Sequence, residues 1–405
     1  MKRSLSLCAA LAATSGIFVA AGSSGAGASY PPLPAGPIVV GATTPLSGPT
    51  AAYGESTEES FNGVTMKAFN AEFPNGIDGH PVKLVFLDDQ GTVTGGVQTA
   101  EQLAADKVAA VVTLSYNPEA TAQQALIINK AHIPIIAGLA GNNVYYNAKQ
   151  WPYYFSIEAS PQQEAAATVK WIHNSGFKRI AVLDDGLQET NTVLTDLQSA
   201  IKSDHGAKVV TVQQISPAAT EVSAQIAAIK AANPDLIYID TGEAYGPIWQ
   251  SMITDGLTST KILASAGAWY DSFSAMGPLE ANAYAVYDNC ATSATQTWPA
   301  NVESLMAQYN AATFGYSTNY LTYVATDTVP LLLLKAAIDK EHSDTPAAIA
   351  AGLLAIHNKV FDGVTINYTP TNHAGLAGTD GASVCKMGPP YAGGLGKVPV
   401  QSTKA

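Results

Sequence analysis

Short apolar, β-rich runs alternate with helical stretches along this chain, and the alternation is played through twice. In the first series Ile38-Val39-Val40-Gly41 opens a strand, and Glu55 to Phe73 carries helical spacing. Val82 to Leu87 reads as a strand ending in Asp88-Asp89, and Val97 to Asp106 as a helix. Val108 to Thr113 is a strand, Glu119 to Ala131 a helix and Ile133 to Ala137 a strand. The rhythm restarts after Pro161 with a helix to about Ser175. Strands at Arg179 to Leu183, Lys208 to Gln213, Leu236 to Ile239 and Lys261 to Ala264 then alternate with helices at Thr190 to Ser203, Glu221 to Ala232 and Tyr245 to Asp255. Strand–helix–strand units give parallel strands, because the connection is too long for a hairpin, and helices then cover both sheet faces. A chain of 405 residues exceeds the ~250–300 that one core fills. The expectation is therefore an α/β protein of two doubly wound parallel-sheet lobes.

The remaining pattern gives a weak cue to the lobe boundaries, which rest chiefly on the resemblance described below. Ala283 to Tyr287 is strand-like and is followed by helical stretches at Asn301 to Thr313, Leu321 to Lys340 and Ala347 to Ala355, then a strand at Gly363 to Asn367. We expect lobe 1 to comprise residues 37–157 and 288–360, and lobe 2 residues 158–287 and 361–405. The run Val329 to Ile338 is short and contains Pro330 and Lys335, so it reads as a buried helix and not a membrane span.

Residues 1–28 read as an export signal. Lys2 and Arg3 precede a mild apolar stretch from Leu5 to Ala21, and Ala26-Gly27-Ala28 offers small residues for cleavage. A retained N-terminal anchor is the alternative. Cys8 lies ahead of most of the apolar stretch, where it does not fit a lipid-attachment site. Cleavage after Ala28 would start the mature chain at Ser29, with residues 29–36 a Pro-rich leader. Losing Lys2 and Arg3, with no acidic residue, moves the formal net charge from −12 to −14. Such an acidic chain without a basic run argues against nucleic-acid partners and against an anionic membrane surface. Cys290 and Cys385 remain; in an exported protein an even pair suggests one disulfide, with two free buried thiols as the alternative.

Reactive motifs are missing. There is no GxSxG, HExxH, Walker loop or GxGxxG. Ser199-Ala200-Ile201-Lys202 fits SxxK but sits mid-helix without partner motifs. The pairs Asp88-Asp89 and Asp184-Asp185 at strand ends are read as caps of loops and helix starts rather than metal ligands. We expect no enzyme, no cofactor and no metal. Asn117-Pro118 and Ser160-Pro161 mark helix starts, the latter with Gln163 in a capping box. The Asn117 loop follows a strand's C-terminal end, where parallel sheets bind ligands, so it is a candidate ligand loop.

From Ile38 to about Gly375 the sequence resembles the leucine/isoleucine/valine-binding proteins, the type I periplasmic solute-binding proteins of ABC importers. The match is carried by Ile38-Val39-Val40-Gly41, Pro45-Leu46-Ser47-Gly48-Pro49, Tyr53-Gly54 and Asn75-Gly76-Ile77-Asp78-Gly79. Asp88-Asp89, Ala110-Val111-Val112, His132-Ile133-Pro134-Ile135-Ile136, Asn233-Pro234-Asp235, Phe361-Asp362-Gly363-Val364 and Tyr368 to His373 continue it in order. The resemblance implies a three-crossover hinge, a small-molecule ligand in the interlobe cleft and delivery to a membrane permease. We expect a monomer, exported to the periplasm or cell envelope.

The same resemblance implies a ligand site. Tyr53 stands where the family covers the ligand with an aromatic ring. Ser115, Tyr116 and Asn117 stand in the carboxylate loop, with a hydroxyl and main-chain amides as donors. Ala140, Gly141 and Asn142 stand in the amino-group loop, and Tyr245 matches a pocket tyrosine; packing is the alternative role for Tyr53 and Tyr245. Two features depart from the family. The loop after Asp184 reads Gly186-Leu187-Gln188-Glu189, without a tyrosine, and Ser265-Ala266-Gly267-Ala268-Trp269-Tyr270 lacks the glutamate that pairs with a ligand ammonium. Either Glu243 or Glu189 supplies that charge, or the ligand is not an α-amino acid. Tyr116, Tyr245, Trp269 and Tyr270, with Gln188, would suit an aromatic carboxylic acid or an amide as well as leucine. A ligand-binding sensor of the same fold is the alternative to a transport receptor; an extracellular hydrolase would need a catalytic set that the sequence lacks.

Overall fold

The computed structural model describes residues 29–48, 51–115, 117–138, 147–157, 161–186, 194–199, 201–202, 206–216, 219–241, 244–265, 275–287, 320–361, 364–376 and 382–387. The first sheet contains β1 (Ile38–Thr44), β2 (Val82–Asp88), β3 (Ala110–Thr113), β4 (Ile135–Ala137) and β5 (Tyr154–Ser156), in the order β2-β1-β3-β4-β5. Every neighbouring pair is parallel. The intervening helices are α1 (Ala51–Ser60), α2 (Met66–Glu72), α3 (Val93–Ala105) and α4 (Pro118–Lys130). Between α1 and α2 runs a π-helical turn, Phe61–Thr65, that buries Phe61, Val64 and Thr65. Helical periodicity foresaw one helix there but not the wider turn.

The second sheet follows the same plan. After α5 (Pro161–Ser175) come β6 (Arg179–Asp184), β7 (Lys208–Gln214), α6 (Ser223–Ala231), β8 (Leu236–Asp240), α7 (Tyr245–Thr254), β9 (Lys261–Ala264) and β10 (Ala283–Tyr287). The chain continues through α8 (Tyr320–Glu341) and α9 (Pro346–Leu354) to an antiparallel pair, β11 (Lys359–Phe361) and β12 (Val364–Ile366). Finally β13 (Ser383–Lys386) joins the second sheet, whose order is β13-β10-β9-β8-β6-β7. All its pairs are parallel except β13 with β10. Sequence rhythm anticipated the parallel strands; it passed over the three-residue β5 and the late β13, both too short to show a period.

Alternation along each buried strand fills both faces, as parallel strands require. In the first lobe Val40, Ala42 and Ile136 pack with Phe61, Phe69 and the buried run Val329 to Ile338 of α8. On the other face Val111 and Ile135 meet Leu103 of α3 and Ile128 of α4. In the second lobe Ile180, Val182 and Tyr238 meet Trp171 and Ile172 of α5, while Leu183, Ile237 and Ile239 meet Ile226, Ile248 and Trp249. Each large side chain so buried stabilises the fold by about 1.5–3 kcal/mol. No helix among the described residues is long and apolar enough to cross a membrane.

Helix α8 packs on α1, β3 and β4, so the chain has returned to the first lobe by then. The later return was expected near Phe361, but hydrogen bonds hold the following segment on the first sheet. The Ser156 amide donates to the His373 carbonyl (2.9 Å), and the Gly375 amide donates to the Ser156 carbonyl (2.7 Å). The Tyr368 hydroxyl also donates to the Ser156 carbonyl (3.1 Å). Among the described residues after Leu376, the second sheet is joined at Ser383. His373 stacks on Phe155 at 4.2 Å, and its Nδ1 donates to the Tyr154 carbonyl (3.0 Å). Burial pushes the His373 imidazole below its usual range, against the raising effect of the Tyr154 and Trp151 carbonyls.

Candidate functional site

Strand order reverses beside β1 in the first sheet and beside β6 in the second. In open parallel sheets such a reversal leaves a crevice at the strands' C-terminal ends, where ligands bind. The described residues at those ends are therefore the candidate site: 44–48, 88–91, 114, 115 and 117 in the first lobe, and 184–186, 240, 241, 244, 245 and 265 in the second.

In the first lobe two adjacent carboxylates hold two different loops. Asp88 Oδ1 accepts the amides of Leu46 (2.9 Å), Ser47 (3.3 Å) and Gln90 (2.8 Å), and Oδ2 accepts the Ser47 hydroxyl (2.7 Å). Partial burial opposes ionisation of Asp88, but these donors outweigh it and hold its carboxyl below the usual range. Asp89 is fully buried. Its Oδ1 accepts the Ser115 hydroxyl (3.0 Å) and the Gly91 amide (2.9 Å), and its Oδ2 accepts Gln124 Nε2 (3.2 Å). Burial, helped by the charge of Asp88, pushes the Asp89 carboxyl up despite those three donors. Close backbone contact fixes the 45–48 loop as well: a Cβ on Gly54 would lie 2.0 Å from the Pro45 carbonyl oxygen. One on Gly48, which has φ +92°, would lie 2.7 Å from the Gln90 carbonyl oxygen.

Ser115 and Asn117 occupy the loop at the end of β3. Ser115 is 1% exposed. Its only hydroxyl proton goes to Asp89, and its Oγ accepts the Asn117 amide (3.2 Å). Its own amide donates to Gln124 Oε1 (2.9 Å), and its carbonyl accepts the Thr121 hydroxyl. Asn117 caps α4, with Oδ1 accepting the Ala120 amide (2.9 Å) and Pro118 following. In this arrangement Ser115 has no hydroxyl proton left for a ligand carboxylate, and it shapes the loop instead. Sequence reasoning missed Gln124 and Thr99, whose hydroxyl accepts Gln124 Nε2 (3.2 Å). The signal was available: Gln124 stands among Ala120, Thr121, Ala125 and Ile128 on the buried face of α4.

In the second lobe Asp184 Oδ1 accepts the Gly186 amide (2.8 Å) and Gln214 Nε2 of β7 (3.3 Å). Asp185 and Asp240 are buried beside it in sequence and at the end of β8. The Tyr238 hydroxyl donates to Asp240 Oδ2 (3.2 Å); burial first, then the Asp240 and Glu164 carboxylates, push this phenol far above its usual range. Tyr245 opens α7 with its ring in the core, stacked on Trp249 at 5.7 Å. Its hydroxyl donates to the Thr241 carbonyl and lies 2.6 Å from Ser265 Oγ, so it braces the ends of β8 and β9. Tyr245 thus reaches the site with its hydroxyl while its ring packs.

Asp88, Asp89 and Asp184 hold their own loops, and no group of three metal-ligating side chains occurs among the described residues. Tyr53 lies in α1, its side chain outside the described part. Tyr116, Ala140, Gly141, Asn142, Gln188, Glu189, Glu243, Trp269, Tyr270 and Cys290 lie outside the described residues, as does the side chain of Cys385.

A family profile described as periplasmic binding protein matches residues 37–380. Leu/Ile/Val-binding protein homolog 3 of Brucella melitensis is 24% identical over 320 residues, covering 78% of this chain and 83% of that protein. A type 1 periplasmic binding protein of Bordetella pertussis superposes with a TM-score of 0.73 at 19% identity, covering 90% of this chain and all of that one. An ABC-transporter solute-binding protein of Rhodopseudomonas palustris, solved with 3,4-dihydroxybenzoic acid, superposes with a TM-score of 0.71 at 17% identity, covering 86% and 92% of the two chains.

Proposed function

The chain belongs to the periplasmic binding protein family, as a type I solute-binding protein of the ABC-transporter kind and not an enzyme, and from that premise we propose that it is exported and hands a small organic acid to a membrane permease. The ligand sits between the two sets of strand ends, and closure of the lobes on it is what the permease reads. The proposed ligand is a small carboxylate bearing hydrogen-bond donors: a branched-chain amino acid with its ammonium, or an aromatic acid with its hydroxyls.

One observation carries this reading: strand order reverses beside β1 and beside β6, so each lobe offers strand ends of the kind that bind ligands, and at the second the carboxylates of Asp184 and Asp240 already hold the Gly186 amide, Gln214 and the Tyr238 hydroxyl. A carboxylate accepts up to about four hydrogen bonds, so an edge that carries carboxylates suits hydrogen-bond donors on the ligand with these protein donors in place. An ammonium and a catechol meet the same need. A Leu/Ile/Val-binding relative and a dihydroxybenzoate-bound neighbour of the same fold both resemble this chain, which supports this reading.

Thermal-shift titration tests it with L-leucine and 3,4-dihydroxybenzoate, each beside an analogue stripped of its donors, 4-methylpentanoate and benzoate. At a hundredfold excess over Kd a true ligand stabilises by about 2.7 kcal/mol. A donor-bearing probe should raise Tm and its stripped analogue should not. Equal shifts from both members of a pair would remove the acceptor-edge argument. Absence of compaction by X-ray scattering with a probe that binds would remove the closure step.

A further inference from the structure

The Asp88-Asp89 dipeptide reads in sequence as a loop cap, and its oxygens are filled by protein donors. Successive residues at the end of β2 point to opposite sides of the strand. Asp88 consequently takes the 45–48 loop through Leu46 and Ser47, and Asp89 takes the 114–117 loop through Ser115 and Gln124. The next two residues adopt left-handed backbone, φ +58° at Gln90 and +59° at Gly91. Their amides return to Asp88 Oδ1 (2.8 Å) and Asp89 Oδ1 (2.9 Å), which fixes the aim of both side chains. Gln124 closes the arrangement by giving its Nε2 to Asp89 and its Oε1 to the Ser115 amide.

We propose that Asp88 and Asp89 are positioning residues: one strand end holds two first-lobe loops of the candidate site, Leu46–Gly48 and the one through Ser115, in place before any ligand arrives. The ligand role of those loops rests on the function proposed above, but their being held does not, and it is measured without ligand. A preformed loop lowers the ordering cost of binding, so its release weakens affinity with the fold intact.

The test is amide hydrogen exchange on the full chain, with Asp89→Asn, Gln124→Glu and the two combined. Asp89→Asn sets one amide nitrogen against Gln124 Nε2, donor against donor. Gln124→Glu alone sets carboxylate against carboxylate. The double variant gives every donor an acceptor again, with the charge moved to position 124. Each single change should speed exchange at Ser115 and Asn117 by tenfold or more while Val40 and Val111 keep wild-type rates. The double variant should return within about threefold of wild type. Asp88→Ala should act in the same way on Leu46, Ser47 and Gln90 and spare Ser115 and Asn117.

Unchanged loop exchange, acceleration spread evenly through the first sheet, or a double variant no better than the singles would each overturn the proposal. Binding of L-leucine or 3,4-dihydroxybenzoate is a separate arm. If the wild type binds either, the singles should weaken Kd tenfold or more and the double should recover it. If it binds neither, the proposed ligand class fails while the exchange pattern still decides the positioning role.

Discussion

The two sheets share one strand order and finish it with different chemistry. At the first edge the carboxylates of Asp88 and Asp89 are turned onto their own loops, and the covering helix α4 presents Thr121 and Gln124 to help. At the second edge the covering helix α7 presents Tyr245, Ile248 and Trp249 to the core. There a phenol ties two strand ends together, and the carboxylates of Asp184 and Asp240 sit at the rim of the sheet. The same topological switch is thus held by buried polar bonds in one lobe and by aromatic packing in the other. On the function proposed above, a ligand would meet loops held by their own strand end on one side and strand ends tied by one phenol on the other.

Substitutions at matched places should break this contrast most clearly. Trp249→Ala empties the centre of the second-lobe core and should cost about 3–5 kcal/mol in denaturant unfolding. Gln124→Leu keeps volume in the first lobe but strands Asp89 Oδ2 and the Ser115 amide, and should cost about 2–3 kcal/mol. If Gln124→Leu proves neutral, the buried polar bonds are not what holds the first edge, and the two lobes are alike after all. Tyr245→Phe keeps the ring and removes only the brace, for about 0.5–1.5 kcal/mol. Its added hydrogen exchange should fall at Thr241 and Ser265 and spare the first lobe; spread beyond those residues would show that the hydroxyl supports the core and not the strand ends.

These differences also explain what could be seen in sequence. The parallel strands were legible because buried apolar runs such as Leu236-Ile237-Tyr238-Ile239 register in composition and length. Asp88, Asp89 and Asp184 were legible as caps. Gln124 was not singled out, because a polar residue on a helix says nothing about its partner until α3 and α4 are packed. Tyr245 showed its family position but not the direction of its ring, which the Trp249 stack decides. The attachment of residues 366–375 to Ser156 depends on pairing between segments far apart in the chain, as with Tyr368 and Ser156, 212 positions apart, which no local pattern encodes.

The smallest expected effect is a pH dependence that differs in sign between two buried groups of the first lobe. His373 has a folded pKa below the ~6.5 of free imidazole. As pH falls through ~6.5 the unfolded chain gains a proton that the folded chain refuses, so stability present above that value is lost on the acid side. Asp89 has a folded pKa above the ~3.9 of a free aspartate. In the window above ~3.9 the folded chain keeps its proton longer, so acidification there adds stability. His373→Gln should therefore flatten the fall in Tm from pH 7.5 to 5.5, while Asp89→Asn should steepen the fall below that range. Should His373→Gln follow the wild-type curve from pH 7.5 to 5.5, the acid sensitivity does not originate where Phe155 and the Tyr154 carbonyl enclose this ring, and the crossover segment is held by its main-chain bonds to Ser156 alone.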